Sequence, residues 1–94
     1  MFSGGSYDEV ARWLKNFLNA HAKRENVHAE VELEWGEERE GKSYAARVRL
    51  GARVAPPIEL EFAEVARNRE GLNWCATLAL RVRKVVRDLG AVAA

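Results

Sequence analysis

Charged and apolar residues alternate in three consecutive stretches of this chain, and the sign of the charge runs acid, base, acid. Glu30, Glu32 and Glu34 interleave with Ala29, Val31, Leu33 and Trp35. Arg47 and Arg49 interleave with Ala46, Val48 and Leu50, and Glu59 and Glu61 with Ile58, Leu60 and Phe62. A period of two sends alternate side chains to opposite faces of a β-strand. Opposite charges across neighbouring strands favour pairing and like charges oppose it. The strands are therefore expected in the order 1-2-3, with the basic strand central and its arginines facing glutamates on both sides. The charged face is then solvated and close to neutral, which argues against a nucleic-acid platform there.

Helical periodicity flanks these strands. Ser6-Tyr7-Asp8-Glu9 reads as a capping box, with its acids at the positive end of the helix dipole. Val10, Trp13, Leu14, Phe17 and His21 then share one face, which predicts a helix over about 7–24. Trp74, Leu78, Val82, Val85 and Leu89 form the stripe of a second helix over about 71–89. Gly90 is its expected C-cap, and the Ala-Val-Ala-Ala tail is expected to fray. Val27 is read as the inward start of the first strand, and Gly36 and Gly41 bound a turn. The second strand is read from Tyr44 to Arg53, with Ala52 inward, Arg53 outward and Pro56-Pro57 closing it. Residues 63–70 keep neither period and leave bulge, turn and helical turn open. The expected fold is α+β: a two-layer α-β-β-β-α sandwich with a three-stranded antiparallel sheet and both helices on one face. A single domain over 1–94 is expected.

The totals exclude several classes of function. Fifteen Lys and Arg against fourteen Asp and Glu leave a net charge of +1, so bulk charge cannot hold the chain to nucleic acid and any basic surface is local. A lone Cys75 excludes an internal disulfide and fits a cytoplasmic setting. No apolar run is long enough for a membrane span, and Met1-Phe2-Ser3-Gly4-Gly5 does not read as a leader. Glutamine is absent while arginine and glutamate dominate the charges, a composition that fits a hot-growing or GC-rich source.

No catalytic signature stands out. His21 and His28 are seven residues apart, with no metal-ligand spacing around them, and His21 lies on an apolar helix face. Cys75 falls on the apolar stripe of the last helix, where a thiol is a small hydrophobe rather than a nucleophile. No enzyme activity, cofactor or metal is expected. The basic residues of the last helix are the best binding candidates: Arg81, Arg83, Lys84 and Arg87, with Arg67 and Arg69 before it. Leu80 stands outward among them, and Trp35 ends the first strand, so both are candidate interface residues.

The order helix, three strands, helix resembles the double-stranded-RNA-binding domain and the small Alu-domain subunits of the signal recognition particle. In the first of these families the last helix starts lysine-rich, whereas here the start reads Gly71-Leu72-Asn73-Trp74. A local resemblance, carried by Asp8-Glu9-Val10-Ala11-Arg12 and by Leu72, Leu80, Arg81, Lys84 and Asp88, points to the small dimerising subunit family of the KEOPS tRNA-modifying complex. That family has a strand before its first helix and two after it. These resemblances imply a non-catalytic small subunit or binding module of an RNA-associated complex, contacting RNA or a protein of that complex through the basic helix and self-associating as a dimer. The alternative is a protein–protein dimerisation or interaction module that touches no nucleic acid.

Overall fold

A computed structural model describes residues 5–39 and 41–91. The expectations for the first four residues and for the last three of the tail fall outside them. Helix α1 spans Tyr7–Glu25, and the Glu9 amide donates to the Ser6 hydroxyl at 3.1 Å, the capping contact expected of this sequence. At its other end the Asn26 amide donates to the Ala22 carbonyl, and the Asn26 side chain accepts from the His28 amide at 2.9 Å. These bonds turn the chain before the first strand, so Val27 is 72% exposed in that turn and not, as expected, an inward strand residue.

Strand β1 (Ala29–Glu34) pairs antiparallel with β2 (Ser43–Leu50), and a 3₁₀ turn at Glu37–Arg39 lies between them. Beyond β2 come β3 (Arg53–Val54) and β4 (Ile58–Glu61), both paired antiparallel with β2 on the side away from β1. The acid–base–acid order therefore holds, with the arginine strand central. Its register differs from the symmetric ladder expected. Glu30 and Glu32 lie opposite Arg49 and Arg47, but on the other side Arg49 faces Val54, while Glu59 and Glu61 face Ala45 and Ser43.

The cause is a tight hairpin. Gly51 adopts φ +63°, as the first position of a two-residue turn demands, and the chain reverses at Gly51-Ala52 instead of continuing to Arg53. Pro56 and Pro57 then interrupt the ladder, and β4 meets only the first half of β2. Arg53, expected outward, is half-buried and donates to the Leu89 carbonyl at 2.9 Å, near the end of the last helix.

Phe62, expected to end the third strand, instead opens the short helix α2 (Phe62–Asn68), which takes up most of the stretch 63–70 that periodicity left unassigned. Helix α3 spans Leu72–Ala91. It runs through Gly90, which therefore is not the C-cap. A Cβ there would sit 3.7 Å from the Leu50 side chain, an ordinary van der Waals contact, so a larger residue would fit at this point.

Helix α1 packs on β1 and α3 on β2, side by side on one face of the sheet. Between the layers Val10, Leu14, Leu18, Tyr44, Val48, Val65, Val82 and Val86 are essentially inaccessible to solvent. Burial of each large aliphatic side chain contributes about 1.5–3 kcal/mol. The ring of Tyr44 stacks on Tyr7 at 4.7 Å, and their hydroxyls donate to the Tyr7 carbonyl (2.8 Å) and the Ser43 carbonyl (2.6 Å) respectively. Two residues of α1 reach around the outer edge of β1. The Asn19 amide donates to the Val31 carbonyl at 3.0 Å and accepts from the Val31 N–H at 2.9 Å, and the Lys23 ammonium donates to the Ala29 carbonyl at 2.9 Å. A side-chain amide thus stands where a further strand would pair.

Candidate interaction surface

The basic residues singled out from the sequence do not form one patch. Arg83 and Arg87 converge on a single carboxylate, that of Glu25 at the end of α1. The Arg83 Nε lies 3.2 Å from Oε1, and the Arg87 Nε and Nη2 lie 3.2 Å from Oε2 and Oε1. The hydrogen bond from Arg87, reinforced by Arg83, holds the Glu25 carboxyl below the usual carboxylate range. Lys84 is engaged by Asp88 one turn on, at 2.8 Å. Arg67 is exposed on α2. Arg69 follows α2 and lies against the chain before α1, where a Cβ on Gly5 would come within 2.9 Å of its guanidinium. Arg81 is exposed and has no ion-pair partner among the described residues.

On the opposite face of the sheet the charges also pair. Arg47 contacts Glu34 at 3.1 Å, Arg49 contacts Glu32, and Glu59 is taken by Arg39 from the 3₁₀ turn at 2.7 Å. Each β2 arginine reaches the glutamate two residues beyond its register partner, in keeping with the diagonal contacts that long side chains make across strands. Glu30 and Glu61 on the same face have no ion-pair partner among the described residues, so this surface is neutralised in part.

Of the two candidate interface residues, Trp35 is half-buried, 6.3 Å from Tyr7 and packed on the core, so its indole belongs largely to the aromatic cluster. Leu80 is 66% exposed. It lies in an uncharged stretch, residues 72–80, in which Leu72 is 86% exposed as well.

A groove that periodicity did not indicate lies elsewhere on α3. On the flank of α3 away from α1, residues 54–58 form one wall and Val85 and Leu89 the other, enclosing about 440 Å³. Arg81 and Asp88 stand at its rim, and Val54 is 52% exposed. The sequence signal that could have located it is Pro56-Pro57: where prolines break a ladder, an apolar strand leaves its partner and exposes its side.

The remaining candidates for chemistry are held in place by packing. The Cys75 thiol donates to the Arg69 carbonyl at 3.2 Å, and burial pushes its pKa up, away from the thiolate a nucleophile requires. His21 stacks against Phe17 with ring centroids 4.5 Å apart, and burial, with Arg24 and Arg83 nearby, disfavours its charged form. Among the described residues no three His, Cys, Asp or Glu side chains gather as metal ligands, and no helix is long and apolar enough to cross a membrane. Comparison with family models, curated proteins and solved structures returns no match to this chain.

Proposed function

We propose that this chain is a non-catalytic protein-interaction module that binds through the groove between α3 and residues 54–58. The observation that carries this reading is the groove itself, with apolar walls from residues 54–58, Val85 and Leu89 and only Arg81 and Asp88 at its rim, while Arg83, Lys84 and Arg87 elsewhere on α3 are paired with acids of the same chain. Apolar surface rimmed by a few charges is the usual composition of a protein contact. An RNA-contacting role draws less from the geometry. Arg83, Lys84 and Arg87 hold carboxylates, while Arg67 and Arg69 lie before the start of α3 and apart from Arg81.

Site-specific photo-crosslinking tests the proposal. A benzophenone side chain is placed at position 54 or 85, and at position 30 on the charged sheet face as control. Protein adducts are expected from positions 54 and 85 and not from 30. Adducts no more abundant at the groove than at position 30 would overturn the reading. So would RNA as the captured species, with binding that falls steeply as salt rises.

A further inference from the structure

We propose that the partner in the groove is a second copy of this chain, docked α3 against α3 in antiparallel register about a two-fold axis between Lys84 and Val85. The inference rests on the interaction-module reading and adds the identity of the partner. Its starting point is a spacing. Arg81, Val85 and Asp88 stand at i, i+4 and i+7, so they share one side of α3, and that side forms the groove rim. Arg81 lies three and a half residues before the proposed axis and Asp88 three and a half after it, about 5 Å either way along the helix at its ordinary rise. Antiparallel pairing about that point sets Arg81 of each copy against Asp88 of the other, and brings the two copies of Val85 beside the axis, offset along the helix by one residue, about 1.5 Å. An opposite-charge pair placed evenly about a two-fold is complementary to itself, which is the requirement for an isologous contact.

The neighbouring groups agree with this register. Arg81 is the cation of α3's basic set left without an ion-pair partner among the described residues. Asp88 is held by Lys84 through Oδ2 only, so a carboxylate oxygen remains to accept from a second donor. Toward the sheet, Val85 and Leu89 of each copy extend the apolar lining of the other's groove. The other flank of α3 is occupied by α1, whereas the groove side is open to a second helix.

Sedimentation velocity on the full chain, at concentrations up to about 0.1 mM, tests the proposal with charge exchange. The unaltered chain is expected to dimerise. Arg81→Asp and Asp88→Arg, each of which sets like charges together across the axis, are expected to weaken the dimer at least tenfold. The double exchange Arg81→Asp/Asp88→Arg restores the pairing and is expected to recover most of the affinity. Circular dichroism confirms that each variant stays folded, since both positions are exposed. Single variants that dimerise like the parent, or a double variant no better than the singles, would overturn the register. A monomeric parent whose position-54 crosslinker captures a different protein would overturn the second-copy assignment and leave the interaction module standing. A monomeric parent with no groove adduct would overturn both.

Discussion

Replacing Asn19 by alanine isolates the contact that closes the β1 edge. In the native fold its side chain makes two hydrogen bonds to the backbone of Val31, at 3.0 and 2.9 Å. Each such bond contributes about 1 kcal/mol net. Against this loss of about 2 kcal/mol, alanine gains about 0.5 kcal/mol in helix propensity over asparagine. The expected result is a net destabilisation of about 1.5 kcal/mol, or a urea midpoint lower by about 1 M for a chain of this size. Asn16→Ala is the matched control, because Asn16 is exposed on the same helix and makes no hydrogen bond among the described residues. It keeps the propensity gain and loses nothing, so the two variants should differ by about 2 kcal/mol. Native-state hydrogen exchange adds a local readout: the Val31 amide should be protected in the parent and exchange far faster in Asn19→Ala, while core strand amides stay slow. The reasoning is refuted if Asn19→Ala is as stable as Asn16→Ala, or if Val31 remains protected without the side chain.

Three further expectations rest on the packing. Tyr44→Phe removes a buried hydroxyl that donates to the Tyr7 carbonyl at 2.8 Å; it should cost about 1 kcal/mol, seen as a fall in Tm of about 4–8 °C. Arg49→Glu places an acid beside Glu30 and Glu32 in the central strand; it should lower stability by about 1 kcal/mol, with much of the loss recovered at high salt. For His21, whose pKa lies below its ordinary 6.5 through burial and then the charges of Arg24 and Arg83, the folded state binds its proton less readily than the unfolded chain. Its contribution is complete above about pH 6.5 and is lost as the pH falls through the depressed value. The urea midpoint of the parent should therefore drop on acidification to about pH 5.5 more than that of His21→Gln, and equal drops would remove the histidine from the account.

Helix α1, the central position of the arginine strand and the one-sided packing of the helices were legible because each comes from local pattern: a cap, a period and the sign of a charge. The register of β4 was not, since it depends on where Gly51 reverses the chain and on how far Pro56 and Pro57 displace the next strand. Glu59 illustrates the difference. Its alternation with Ile58 and Leu60 located the solvent face correctly, but its ionic partner is Arg39, in a turn twenty residues earlier that no pattern connects to it. The basic helix was equally visible as composition and hidden as chemistry. Whether Arg83 and Arg87 are free or engaged is decided by Glu25 on α1, brought to them only by tertiary packing. Gly90 obeyed a sound rule for helix ends, yet α3 runs through it to Ala91 with no reversal of the backbone there.

The amide of Asn19 also bears on how copies of the chain can join. A sheet with two free edges can be extended at both, and a chain of that kind runs on into fibres. Here the β1 edge at Val31 is stoppered by the domain's own side chain, and the groove flank of α3 lies beside residues 54–58, on the other side of β2. If copies pair through α3 as proposed, growth of the sheet through Val31 is closed to them, and the isologous contact uses the same flank of both copies.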